Sequence, residues 1–153
     1  MAGSTKITFV MNSKAVLISE NIIKQTLSSV PVQGKRLLEP LRTLSLKEKI
    51  PLNILEDKDI VNEAEVHTHE ADLWLCLEGE VTFTCGGEML KPWFKKNTDG
   101  TEDQREIKAK KISGGTQFVL KAGDWLWIPA GVSHQHQTSS LARLVIIKIP
   151  KTS

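Results

Sequence analysis

The chain has 153 residues, 40% of them hydrophobic and 25% charged, which suits one globular domain with a real core. Its 20 basic and 18 acidic residues leave a formal charge of +2, so there is no electrostatic case for nucleic acid or acidic lipid as a partner. Two cysteines, Cys76 and Cys85, are too few for a disulfide scaffold.

Met1 to Val10 lacks the basic stretch and apolar core of a secretory signal, and no apolar run nears the ~20 residues that span a bilayer. The expectation is a cytoplasmic protein with reduced thiols and no membrane partner. Residues 1–34 read as an N-terminal extension. Within it, Ser19 caps a helix over 13–30 that carries Ile22, Ile23 and Leu27 on one side and stops before Pro31.

From about Lys35 to residue 150 the pattern turns to short strands. Arg36–Leu38, Leu41–Leu46 and Leu52–Leu55 are apolar runs broken by Pro40 and Pro51. Glu65–His69, Asp72–Glu78 and Val81–Cys85 follow, the last two joined by a predicted hairpin at Gly79-Glu80. Residues 86–116, rich in Gly, Lys and Glu, read as a long loop or a hairpin arm with Lys108–Ile112 on its return limb. The late strands are Gln117–Leu120, Trp125–Ile128, Ser133–Thr138 and Ala142–Ile149. Many short strands and little helix indicate an all-β sandwich or barrel.

All four histidines fall in two pairs, His67-Thr68-His69 and His134-Gln135-His136. In a strand, residues i and i+2 face the same way, so each pair offers two imidazoles to one face. Two pairs far apart in sequence can meet inside a barrel, where imidazole and carboxylate together suit a divalent transition metal. Glu65, Glu70 and Asp72 are the nearby carboxylates, and Glu65 shares the parity of the histidines.

The residues around those pairs resemble the two motifs of the cupins. His67-x-His69 precedes Asp72, which stands six residues before Gly79, where the family carries a Glu. Only Glu70 and Ala71 separate His69 from Asp72, so that loop is short, and Val61 replaces the first-motif glycine. The second motif runs Gly123-Asp-Trp-Leu-Trp-Ile-Pro129-Ala-Gly131-Val-Ser-His134, complete up to the histidine, with Thr138 at its closing Asn position. The resemblance implies a double-stranded β-helix, or jelly-roll, barrel over residues 35–150. It also implies one divalent metal (Fe, Mn, Ni or Zn) on His67, His69 and His134, with Asp72 in the acidic slot. A three-histidine site, with Glu70 or His136 as a fourth group, is the alternative.

On the strand from Asp72, Trp74 and Cys76 share its parity and can line the cavity, although ordinary packing explains both. Trp125 and Trp127 share one face and Leu126 and Ile128 the other, so both faces of that strand are expected to be covered. A helix or a second subunit would do so, and the resemblance implies a homodimer. Arg36, Arg42 and Arg143 are candidates to grip an anionic ligand. Two functions fit this reading. One is a metal-dependent enzyme on a small molecule, dioxygenase-like or isomerase-like, with its catalytic residues undefined. The other is a non-catalytic small-ligand-binding cupin with a structural metal. The absence of tyrosine removes the acid that deoxysugar epimerases of this fold class use.

Overall fold

Ser19 starts the first described element: its hydroxyl accepts the Ile22 amide at 3.2 Å and opens helix α1 (Glu20–Leu27). The structure, a computed structural model, describes residues 3–4, 7 and 14–152, so position 13 of the expected helix lies outside the described residues. Strand β1 (Gly34–Leu37) follows. Then comes a second helix, α2 (Leu41–Glu48), where the sequence pattern predicted a strand over Leu41–Leu46. Pro40 heads a helix here and marks no sheet edge, because proline fits a first turn whose amides lack partners anyway. Leu41 and Leu44, three apart, place their side chains on the face that meets Leu38, Ile54 and α1.

The remaining elements are β2 (Leu52–Val61), β3 (Ala64–His67), β4 (Glu70–Cys85), β5 (Glu88–Met89), β6 (Trp93–Lys96), β7 (Glu102–Ala109), β8 (Ile112–Ser113), β9 (Thr116–Lys121), β10 (Trp125–Ile128) and β11 (His134–Pro150). They curl into a jelly-roll barrel, and every strand pairing is antiparallel. One path runs β1-β2-β11-β3-β7-β6, while β4 lies against β11 on one side and against β9 and β10 on the other.

Two long strands hold the barrel together. The expected hairpin at Gly79-Glu80 is absent, and β4 continues straight through those residues. Gly79 has φ +74, and a Cβ there would lie 1.8 Å from the Leu141 carbonyl oxygen. Glycine therefore serves a close strand approach, not a chain reversal. Opposite it, β11 joins the two strands predicted at Ser133–Thr138 and Ala142–Ile149. Its register slips between Gln137 and Ala142, so both strands bend together.

The arm is also tied down. Its return limb is β7, which pairs with β6 and, on its other edge, with β3 from Ala64↔Ala109 to His67↔Glu106. Lys95, Glu106 and Lys108 thereby come to line the barrel cavity.

Two apolar clusters result. Inside the barrel, Leu55, Trp74, Val81, Phe83, Leu120 and Leu144 pack together. Outside it, Leu38, Leu41 and Ile54 are covered by Ile22, Ile23 and Leu27 of α1. Each such aliphatic side chain stabilises the fold by about 1.5–3 kcal/mol when fully buried. Trp125 and Trp127 remain 58% and 52% exposed, so within the described residues nothing covers their face. No described helix is long and apolar enough to cross a membrane.

Candidate metal centre

Side chains from three strands converge beside a cavity of about 680 Å3, whose lining includes Glu65 and His67. Glu65 and His67 sit two apart on β3 and face the same way, as the strand period requires. His134, the first residue of β11, pairs directly with Glu65, and Asp72 on β4 pairs with Lys148 near the end of β11. The second motif sets this meeting in place. Gly131 adopts φ +85 and its amide donates to the His67 carbonyl at 2.8 Å, tying the loop before His134 to the end of β3.

His134 Nε2 lies 3.4 Å from Asp72 Oδ2 and 3.9 Å from Glu65 Oε1. His67 Nε2 lies 3.7 Å from Asp72 Oδ2 and 3.8 Å from Glu65 Oε2. The His134 Nδ1 is 3.1 Å from the Val132 carbonyl, which can only accept, so Nδ1 carries the proton and Nε2 presents its lone pair. Burial pushes His134 down to about 4 despite the pull of Glu65 and Asp72, so the ring is neutral near pH 7. Burial alone would raise Glu65, but Lys35, His134, His67 and Lys108 outweigh it and hold the carboxyl at about 2.

These residues fit a divalent ion. His134 Nε2 and Asp72 Oδ2 are buried without a hydrogen-bond partner, although unpaired buried polar atoms are costly. Atoms sharing an ion at bond lengths of about 2.0–2.2 Å lie roughly 3 to 3.6 Å apart, close to the spacing here. Glu65, His67 and His134 form a compact three-ligand group, and Asp72 adjoins it.

Two further charged side chains, Lys148 and Glu106, face the site beyond those the sequence pattern predicts. Lys148 places its ammonium 2.6 Å from Asp72 Oδ1 and 3.1 Å from His67 Nε2, an internal cation beside the ligand atoms. The available signal was a single lysine within the apolar run Val145-Ile146-Ile147-Lys148-Ile149. Glu106 was also missed. It faces His67 Nδ1 at 3.6 Å, and that neighbour, with Lys95, holds its carboxyl at about 2 against the opposing effect of burial.

The structure does not bring His69 into this group. Strand β3 ends at His67, the backbone bends at Thr68 and His69, and the i, i+2 rule lapses there. His69 Nε2 instead sits 3.5 Å from Glu70 Oε2, and its ring stands edge-on to His67 with centroids 6.4 Å apart. His136 lies deeper in the core, stacked on Phe83, with Nδ1 at 2.5 Å from Asp57 Oδ2. Cys76 is buried in the core, and burial raises its thiol, as it raises Cys85 to about 11, so neither is a ready thiolate ligand.

No family model matches the sequence, and no curated protein matches it. Solved structures do. Oxalate oxidase in complex with the substrate analogue glycolate shares 14% identity over 83% of this chain and 58% of that one, with a TM-score of 0.50. The chain has the cupin fold. A hydroquinone 1,2-dioxygenase from Sphingomonas sp. TTNP3 with 4-hydroxybenzoate bound is similar over 86% of this chain and 74% of its own, at 11% identity and TM-score 0.49. The cupin domain of Drosophila melanogaster CENP-C matches over 86% and 81%, at 16% identity and TM-score 0.49. Against CENP-C bound to CAL1, this chain spans 63% of that chain's length. At such identities the likeness is one of fold, and fold does not fix activity.

Proposed function

We propose that this cupin-fold chain binds one divalent transition metal and acts as a metal-dependent enzyme on a small organic molecule. The observation that carries the reading is the pair of buried, unpartnered ligand atoms, His134 Nε2 and Asp72 Oδ2, 3.4 Å apart beside His67 and Glu65. Glu65, His67, Asp72 and His134 would hold the ion, which when bound polarises an oxygen of the substrate or activates dioxygen. The Val132 carbonyl orients His134, and Glu106 faces the far nitrogen of His67. Trp74 and Ile146 give the cavity an apolar wall, which limits water around a bound molecule.

A second reading is a non-catalytic small-ligand-binding module, and Lys148 is the observation that favours it. Its ammonium already compensates Asp72, so the site can stand without a metal.

Elemental analysis of untagged protein, with metal titration of variants, tests both. About one equivalent of iron, manganese, nickel or zinc is expected in the wild type. His67→Ala or His134→Ala should abolish binding, and His136→Ala should leave most of it. No metal after reconstitution would hand the site to the binding-module reading.

A further inference from the structure

We propose that the cavity beside the candidate metal centre is a site for an anionic small molecule, whose acid group is anchored by Arg42. This deepens the reading above by naming a ligand class, and it rests on that reading only for the role of the neighbouring metal.

The charge of the lining is the first argument. Six of its residues are Lys35, Arg36, Arg42, Lys95, Lys108 and Lys148, against Glu65 and Glu106, a formal excess of four positive charges in a chain whose total is +2. A cleft with low-dielectric walls focuses such a field.

The pairing of those cations then singles out one of them. Arg36 is held by Glu56 at 2.9 Å, Lys95 by Glu106 at 3.2 Å and Lys35 by Glu65 at 3.6 Å. Lys148 is held by Asp72, and Lys108 lies 3.7 Å from Glu63. Arg42, on the first turn of α2, has no ion pair or side-chain hydrogen bond within the described residues, yet it lines the cavity. A guanidinium offers a planar fork of donors that matches a carboxylate or a phosphate.

The wall beside these cations is aromatic and rigid. Trp74 Nε1 lies in a residue lining the same cavity and is buried without a partner. Its ring packs against the stacked pair Phe83 and His136, at centroid distances of 5.2 and 5.3 Å. A metal on Asp72 and Glu65 would also take those carboxylates from Lys148 and Lys35, adding uncompensated positive charge to the same wall.

Calorimetric titration of metal-stripped protein with succinate, inorganic phosphate and neutral succinamide tests the proposal. Succinate or phosphate should bind at least about tenfold more tightly than succinamide, and which of the two wins separates a carboxylate ligand from a phosphate one. Arg42→Met, at an exposed helix position, should keep the wild-type melting temperature and metal affinity but lose about tenfold or more in anion affinity. Equal binding of succinamide, undiminished anion binding by Arg42→Met, or no binding of either anion would overturn it. Anion binding by a protein that takes up no metal would sink the metal reading and leave this one standing.

Discussion

Two carboxylates on neighbouring parts of the barrel, the fully buried Glu56 on β2 and the largely buried Glu65 on β3, both sit near cations, yet they do different work. Glu56 is closed. Its Oε1 accepts Arg36 Nε at 2.9 Å and the Val32 amide at 3.1 Å, and its Oε2 accepts Arg143 Nε at 2.8 Å. Arg143 also donates to the carbonyls of Leu27 and Ser29, fastening the end of α1 to the barrel. Glu65 is open: its cations stand at 3.6 Å and 4.0 Å, and between those distances lie the imidazole nitrogens of His67 at 3.8 Å and His134 at 3.9 Å. A polar cluster whose bonds are all made is a structural joint. One that leaves buried ligand atoms unpaired is a place for something else to bind.

The largest effect should come from breaking the closed cluster. Arg143→Met strands Glu56 and two helix-end carbonyls, and should cost about 3–5 kcal/mol of stability, read from urea unfolding. Metal uptake should survive while the protein stays folded, because Arg143 touches no ligand atom. Loss of metal in a folded Arg143→Met would erase the distinction between the two clusters. The pH dependence carries a sign. Burial alone would raise Glu56, but Val32, Arg36 and Arg143 together hold it below its ordinary 4.5. Its contribution is therefore present above that value and lost as pH falls through the lowered folded one. Wild type should out-stabilise Glu56→Gln at neutral pH, and the two curves should draw together in acid.

The closed cluster also explains what was illegible in the sequence. The apolar run that predicts a strand ends at Leu55, yet the charged residues Glu56-Asp57-Lys58-Asp59 that follow are the middle of β2. Charged residues occupy a buried strand there because their partners, Arg143 and His136, arrive from β11, which no local pattern reveals. The helix at Leu41–Glu48 was hidden for a related reason, since its apolar residues serve the outer cluster and Pro40 suits a helix start as well as a sheet edge. What could be read locally was read: the Ser19 cap, the β10 bounds and the glycine-proline frame before His134. Of the three arginines Arg36, Arg42 and Arg143, only Arg42 is left free within the described residues, because Arg36 and Arg143 both close on Glu56.

Lys148 is where the open cluster can be sharpened. Its ammonium and a metal ion compete for the same ligand atoms, since charge-assisted bonds to Asp72 must be weakened before a second cation settles there. Lys148→Met should tighten metal binding about tenfold, roughly 1.4 kcal/mol, measured by chelator competition. The same variant should melt lower than wild type when stripped of metal and recover when loaded, because Asp72 then has no other cation. An unchanged affinity would mean that Lys148 and the ion occupy separate places.

The smallest effect should fall on His69, and it bears on the comparison most directly. The resemblance puts His69 among the ligands, whereas the bend after β3 turns its Nε2 toward Glu70 and leaves the side chain 28% exposed. Replacing a partly exposed group that touches no ligand atom should shift metal affinity by no more than about threefold, less than 1 kcal/mol. His67→Ala, two positions away, should lose binding altogether. If instead His69→Ala behaves like His67→Ala, then metal binding straightens the Thr68–His69 bend and restores the same-face geometry of the His-x-His pair. In that case Glu65 would give up its place, and a Glu65→Gln variant would keep its metal. The two outcomes assign opposite roles to Glu65 and His69, so measuring both variants in one titration series decides which residue of β3 accompanies His67.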